Sequence, residues 1–378
     1  MLAKTPPMGW NSWNTFGKDI SEKLIMEIAD CMVNEGYKDA GYEYIVIDDC
    51  WSLKERDENG KLVADPEKFP NGMKYLANYI HSKGLKFGMY GCSGILTCAG
   101  YPGSYGHEYI DAQTFADWGV DFLKYDFCSF LPSADVKNAY TTMSLALRST
   151  GREILFSACE WGELECWKWM RSRGAHMYRS TGDIHDNYKS MKDIAMSQID
   201  NLTMSAAGGF NDIDMLIVGM YGKGNVGIEN GCTDSEYKVH FALWSLFASP
   251  LMIGADIRNI NECSKELLLN KELIRINQDE ECRPPFLISS DYGTGIGLPI
   301  FVRFLSDNEY VIGLFNLSEE KQKFAVSFIE MGLQIYSGKG LSLSDCFTGE
   351  DMGIFKETYS CTIPAHDCVM LKGRVVNL

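Results

Sequence analysis

No apolar run in this chain approaches the roughly 18 residues that a bilayer-spanning helix needs, so no membrane partner is expected. No Lys/Arg-rich tract occurs, and a formal net charge of −16 repels a phosphate backbone. Both features disfavour nucleic acid and favour a neutral or small ligand. No GxGxxG follows the first strand-like run, which removes the main argument for a dinucleotide fold. HExxH, a facial histidine pair and CxxC are all missing, so neither a metal nor a cofactor is expected. Cysteine is not scarce, but the thirteen are odd in number and scattered. Several, such as Cys31 and Cys232, read as small buried hydrophobes. The opening MLAKTPPMGWNSW lacks the basic, apolar and small-residue order of a leader. A reducing cytoplasm is therefore the expected compartment, and a secreted protein with its leader removed is the alternative. No motif fixes the oligomeric state, which leaves a homo-oligomer open.

What is present is a rhythm. Up to about residue 285, short β-type runs alternate with amphipathic helical stretches, as in a chain built of βα units. The strand candidates are Pro7–Trp10, Tyr42–Asp48, Leu85–Tyr90, Val120–Asp126, Glu153–Glu160, His176–Ser180, Gly209–Met215 and Pro250–Ile257. Helical spacing runs through SEKLIMEIADCMVNEGYKDAG, MKYLANYIHSKG, AQTFADWG, ADVKNAYTTMSLALRSTG, NYKSMKDIAMSQIDNL and SEYKVHFALWSLFAS, several ending in Gly. Eight such units predict an α/β chain, a (β/α)8 TIM barrel over residues 1–287. Later, FVRFLSDNEYVIGLFNLS, KQKFAVSFI and YSCTIPAHDCVMLKG alternate at period two without a long helix. Residues 288–378 are therefore expected to form a C-terminal antiparallel β-sandwich.

In a (β/α)8 barrel the C-terminal strand ends carry the active site. Here those ends are polar: Asp48 and Asp49, Tyr90, Lys124 and Asp126, Glu160 and Trp161, Arg179 leading to Asp183, and Asp212 and Asp214. Any one of these aspartates would serve as a helix N-cap. Lys124 argues against that explanation for the whole set, because it interrupts an apolar strand two residues before Asp126 and would be costly to bury without a carboxylate beside it. Carboxylates, a lysine, an arginine and aromatic faces suit a sugar, whose hydroxyls take hydrogen bonds and whose C–H face takes a ring. Glycoside hydrolysis needs two carboxyl groups, one ionised and one protonated. Asp126, next to the Lys124 cation, is the candidate for the ionised one, and Asp183 for the proton donor.

These residues sit in recognisable segments: TPPMGWNSW, IDDCW, ADPEKFPNGMKYLANYIHSKGLKFGMY, TCAGYPGSYGHEYIDAQTFADWGVDFLKYD, CEWG, RSTGDI, GGFNDIDML, INQD and IPAH. Along essentially its whole length the chain resembles glycoside hydrolase family 27, the α-galactosidases and α-N-acetylgalactosaminidases. The resemblance implies a retaining, exo-acting hydrolase that releases terminal α-linked galactose by double displacement. Asp126 would be the nucleophile and Asp183 the acid/base. It further implies sugar contacts at Trp13, Asp48, Asp49, Tyr90, Cys98, Lys124, Glu160, Arg179, Asp214 and Met215, and Trp161 is added on its position beside Glu160. Asp48 would read the 6-hydroxyl, Asp49 the axial 4-hydroxyl and Lys124 the 3- and 4-hydroxyls. Glu160 and Arg179 would face the 2- and 3-hydroxyl side.

The chain also departs from the family pattern. Phe127 follows the nucleophile position where relatives usually carry Gly or Asn, which narrows the leaving-group side. Gly91-Cys92 stands where an Asp is usual. Cys98 and Cys128 match a pair that is disulfide-bonded in secreted relatives; a cytoplasmic protein would hold two adjacent thiols. Two sugar alternatives follow from the same family. An α-N-acetylgalactosaminidase would carry a small residue in place of Glu160, and a β-L-arabinopyranosidase an apolar one in place of Asp48. A sugar-binding paralogue without activity would lack one of the two aspartates. His185 is read as a residue of the following helix start, and Asp212 as a carboxylate that orients its neighbours.

Overall fold

A computed structural model of the protein describes residues 2–289, 298–334 and 336–378. Eight parallel strands form one sheet: β1 (Met8–Asn11), β2 (Tyr44–Val46), β3 (Lys86–Cys92), β4 (Phe122–Asp126), β5 (Leu155–Cys159), β6 (Met177–Arg179), β7 (Phe210–Asp212) and β8 (Leu251–Ile253). Each neighbours the next in the chain, and β8 pairs back onto β1. A parallel bridge between Leu216 and Ile253 closes the ring, with the Leu216 N–H on the Met252 carbonyl at 2.8 Å. This is the (β/α)8 barrel that the rhythm of the sequence implies, and all eight strand candidates overlap a strand.

Nine helices lie among the described barrel residues: α1 (Trp13–Phe16), α2 (Glu22–Asn34), α3 (Gly72–Ser82), α4 (Glu108–Trp118), α5 (Val136–Ser149), α6 (Tyr188–Ser197), α7 (Asp234–Leu246), α8 (Glu262–Leu268) and α9 (Lys271–Asn277). Their starts are set by short polar side chains. Ser21, Asp135, Asn187, Thr233, Asn261 and Asn270 each accept a backbone N–H of the first turn. No described helix is long and apolar enough to cross a membrane.

The period of two along each strand sorts the barrel into two cores. Tyr44, Val46, Phe122, Leu155, Met177, Met215 and Met252 pack together within the ring. Their alternates Ile45, Ile47, Leu123, Tyr125, Phe156, Ala158 and Tyr178 belong to the larger core beneath the helices. Extending the inward set toward the strand ends gives Asp48 after Val46, Lys124 and Asp126 after Phe122, and Arg179 after Met177. Strand alternation alone therefore points these charged groups up the barrel axis.

The C-terminal part is antiparallel. A six-stranded sheet runs β14-β13-β16-β11-β10-β9, faced by a two-stranded sheet of β12 and β15. Its strands are β9 (Phe286–Ser289), β10 (Ile300–Phe304), β11 (Glu309–Asn316), β12 (Gln322–Ser327), β13 (Lys339–Asp345), β14 (Asp351–Phe355), β15 (Thr358–Ile363) and β16 (Asp367–Asn377). β9 begins at Phe286 and so straddles the expected boundary at 287/288; residues 290–297, expected at the start of the sandwich, lie outside the described residues. One face of the large sheet, with Phe301, Phe315 and Met370, joins the barrel core. The other, with Ile300, Val302 and Leu371, packs on Phe324 and Tyr359 of the small sheet. At the junction Arg303 is fully buried and donates to the Ser245 and Leu246 carbonyls at the end of α7. His366 stacks on Tyr188 with ring centroids 3.8 Å apart.

Candidate active site

A cavity opens at the C-terminal ends of the barrel strands, where a (β/α)8 barrel places its site. Trp13, Asp48, Asp49, Tyr90, Cys98, Lys124, Asp126, Trp161, Arg179, Asp183, Asp214 and Met215 line it. Asn14, Ile184 and Val226 complete the wall, and no sequence motif singles them out as site residues. Every residue expected to form the site is brought together, with the exception of Glu160.

The deep end is built on β1 to β4. Asp48 is buried, and its Oδ2 accepts from Lys124 Nζ and from Asn11 Nδ2, each at 2.8 Å. Its backbone N–H donates to the Ser12 hydroxyl at 3.0 Å, which ties the end of β2 to the loop after β1. Asp49 accepts the Ala99 N–H at 2.9 Å and the Cys50 N–H at 2.7 Å, and burial nonetheless raises its carboxyl above the ordinary range. Lys124 therefore pairs with Asp48, not with Asp126 as the sequence spacing suggested. Burial works against the Lys124 ammonium, but the Asp48 and Asp126 charges overcome it and hold the amine cationic.

Asp126 ends β4, and its side chain is almost wholly buried. Oδ1 accepts the Phe127 N–H at 2.9 Å, and Oδ2 accepts the Tyr90 hydroxyl at 3.1 Å. Burial pushes its carboxyl upward, and the Lys124 charge with the Phe127 hydrogen bond offsets only part of that. Asp183 is the opposite case, with a side chain 69% exposed and Oδ1 held by Arg179 Nη2 at 2.7 Å. What burial it has pushes the carboxyl up, but the Arg179 charge and hydrogen bond prevail and hold it below the ordinary range. As the side chains stand, the order of the two carboxyls is thus the reverse of the one the cation beside Asp126 led us to expect.

Arg179 links the second half of the site. Its Nη1 meets Asp214 Oδ1 at 3.0 Å, and the other Asp214 oxygen accepts the Ile184 N–H at 2.7 Å. Asp214 has a φ of +81°, a conformation that costs a non-glycine residue roughly 1–3 kcal/mol. Asp212 Oδ1 receives the Asp214 N–H at 2.9 Å and holds that turn. Full burial pushes the Asp212 carboxyl up to about 6. His185 is exposed, and its N–H donates to the Ser190 hydroxyl in the first turn of α6.

Glu160 does not reach the cavity. Trp161 has a φ of +61°, and the chain turns back there, so the fully buried Glu160 carboxylate faces its own loop. One oxygen accepts the Leu164 N–H, and the other has no partner among the described residues. Burial pushes this carboxyl up to about 7. Glu160 is therefore not among the residues that line the cavity. Cys98 and Cys128 are joined as a disulfide, Cα–Cα 5.0 Å, rather than standing as two thiols. With Asp126 these cysteines form the candidate metal-binding group among the described residues, but bonded sulfurs offer no thiolate to an ion.

A closed (β/α)8 barrel that gathers carboxylates, one lysine, one arginine and the faces of Trp13 and Trp161 around one pocket defines a barrel enzyme built for a polyhydroxylated ligand. Comparison with known proteins is specific. The family profile described as alpha galactosidase A matches residues 5–279, and that of the alpha galactosidase C-terminal beta sandwich domain matches residues 296–372. An alpha-galactosidase A of Cellvibrio japonicus is 41% identical over 98% of this chain and 92% of its own, and an alpha-galactosidase of Cyamopsis tetragonoloba is 42% identical over 98% and 86%. The crystal structure of alpha-galactosidase I from Mortierella vinacea superposes with a TM-score of 0.91 at 34% identity, covering 98% of this chain and 97% of that one. The chain belongs to the α-galactosidase family of glycoside hydrolases, family 27.

Proposed function

We propose that the protein releases terminal α-linked galactose from oligosaccharides or glycoconjugates by retaining double displacement, with Asp126 as nucleophile and Asp183 as acid/base. That it is a glycoside hydrolase acting on α-galactosides follows from its family and from curated relatives about 40% identical over nearly the whole chain. The observation that carries the residue assignment is the contrast of the two carboxyls. One is immobilised and buried at a strand end; the other is exposed and tethered only by Arg179.

In the first step an Asp126 oxygen attacks the anomeric carbon as the glycosidic C–O bond breaks, and the departing oxygen takes the proton of Asp183. The galactosyl ester on Asp126 is then attacked by a water that gives its proton back to Asp183, and cleavage of the ester restores both groups. Asp183 must be protonated for the first step. A galactose filling the cavity supplies that condition by displacing water from Asp183 and by drawing Arg179 donors toward sugar hydroxyls; both changes raise the carboxyl pKa. Within the bound sugar, Asp48 is assigned the 6-hydroxyl, Asp49 the axial 4-hydroxyl and Lys124 the 3- and 4-hydroxyls. Trp13 and Trp161 cover apolar C–H surface, while Tyr90, Cys98, Asp214 and Met215 complete the fit.

Turnover of nitrophenyl α-galactoside, α-N-acetylgalactosaminide and β-L-arabinopyranoside compares this reading with its two neighbours. We expect kcat/KM to be highest for the α-galactoside. A preference for the arabinopyranoside would remove the 6-hydroxyl assignment of Asp48, and a preference for the acetamido sugar would remove the galactose assignment itself.

A further inference from the structure

A row of aromatic side chains leaves the mouth of the cavity. Trp161, in the cavity wall, meets Phe127 edge-on with ring centroids 5.6 Å apart. Phe127 lies 5.2 Å from Phe130 at an interplanar angle of 31°, and Phe130 meets Tyr105 edge-on at 6.0 Å. The four rings come from the loops after β5, β4 and β3, three neighbouring strands, so the row crosses one sector of the rim. Phe127, its second ring, directly follows Asp126 in the chain.

The backbone beneath the row is fixed. Cys98–Cys128 joins the two loops that carry Tyr105 and the phenylalanines, and the Ile95 N–H donates to the Ser129 carbonyl at 3.3 Å. At Gly94 a Cβ would stand 2.0 Å from the Cys128 carbonyl oxygen, so only glycine lets the two strands of backbone come this close. The outer ring of the row, Tyr105, is 36% exposed, and Trp161, Phe127 and Phe130 are half-buried, so part of each ring is open to water. Apolar rim surface on a rigid frame, continuous with a ligand pocket, is recovered from water only when a ligand covers it.

We propose that this row is the aglycone subsite, and that it takes the C–H face of a second pyranose ring in a galactosylated oligosaccharide. A pocket closed at its base leaves its mouth as the route for the aglycone, and the row continues that route outward. The inner step is given by Phe127 and the outer platform by Phe130 with Tyr105. Stacking of a pyranose on aromatic faces needs no charge, and no carboxylate, amine or guanidinium belongs to the row. This inference rests on the α-galactosidase reading above.

The test compares wild type with Phe130→Ala and Tyr105→Ala on four substrates of rising aglycone size. They are α-galactosyl fluoride, methyl α-galactoside, nitrophenyl α-galactoside, and a disaccharide of α-galactose on the 6-hydroxyl of glucose. Tyr105→Ala guards against misfolding, because that ring is exposed. We expect kcat/KM on the disaccharide to fall about tenfold in Phe130→Ala and severalfold in Tyr105→Ala, the scale of one stacking contact, with the fluoride unchanged within twofold. Added glucose should also accelerate turnover of the galactosyl-enzyme and yield disaccharide in wild type, less so in either variant. An equal loss on fluoride and disaccharide would mean the row only supports the pocket, and the proposal would fall. A loss confined to the nitrophenyl substrate would overturn the pyranose assignment in favour of an aryl group. Absence of wild-type turnover of the fluoride would count against the α-galactosidase reading instead.

Discussion

The two ends of the cavity are built differently. At the deep end, Asp48, Asp49, Lys124 and Asp126 stand on or directly after barrel strands, and each is held by partners from neighbouring strands and loops. At the mouth, Asp183 and Trp161 stand on loops, and Asp183 has Arg179 as its only side-chain partner among the described residues. Strand-borne groups cannot shift without breaking the sheet, so the deep end suits a ligand whose shape never varies, the terminal sugar. Loop-borne groups tolerate change, and the mouth suits the part of the substrate that differs from one glycoside to another.

Alanine substitutions of the two aspartates probe this contrast with the largest effect. Asp126→Ala should lower kcat for every substrate by roughly 10⁴-fold or more, since no glycosyl ester can form. Asp183→Ala should cost the disaccharide roughly 10²–10⁴-fold yet largely spare the first step with a nitrophenyl leaving group, which departs without protonation. Equal losses on both substrates in Asp183→Ala would assign the proton to another group. Next in size is Asp48→Asn, which keeps the shape while weakening the pairing to Lys124. It should narrow the preference for α-galactoside over β-L-arabinopyranoside by about tenfold. An unchanged ratio would place the 6-hydroxyl elsewhere. An apolar residue at 48 is a poorer probe, because it would strand the buried Lys124 ammonium at a cost of about 3–5 kcal/mol in stability.

The smallest effect concerns Glu160, which lies outside the cavity. A carboxyl raised by folding binds its proton more tightly in the native state. Its contribution to stability is therefore present below pH 4.5 and lost as pH rises through about 7. Glu160→Gln should gain stability relative to wild type between pH 5 and pH 8, by no more than about 3 kcal/mol, while kcat changes little. A pH-independent difference in melting temperature would show that Glu160 carries no such proton.

Much of this was legible in the sequence for a physical reason. Strand and helix periods reveal the barrel, and the polar C-terminal strand ends point to Lys124, Asp126 and Arg179, whose inward direction the structure traces to the alternation that buries Phe122 and Met177. The short helices α1, α8 and α9 carry too few turns for a periodic signal. Glu160 lies outside the cavity lining because its carboxylate accepts the Leu164 N–H of its own loop, a contact beyond the strand end that no strand period encodes. The pairing of Lys124 with Asp48 joins residues 76 positions apart, whereas sequence proximity favoured Asp126. Val226 lies in the loop between β7 and α7, where neither period applies. The order of the two carboxyls was also out of reach, because it depends on burial at Asp126 and exposure at Asp183.

The division of labour between the immobilised and the exposed aspartate is tested most directly by trapping the intermediate. A 2-fluoro galactosyl inactivator with a good leaving group forms the ester quickly and releases it slowly, so digestion and mass spectrometry locate the attachment. The account predicts one equivalent of sugar on the peptide that contains Asp126, with Asp183 unmodified. Attachment at Asp183, or inactivation without any covalent sugar while an α-galactoside is still turned over, would contradict it.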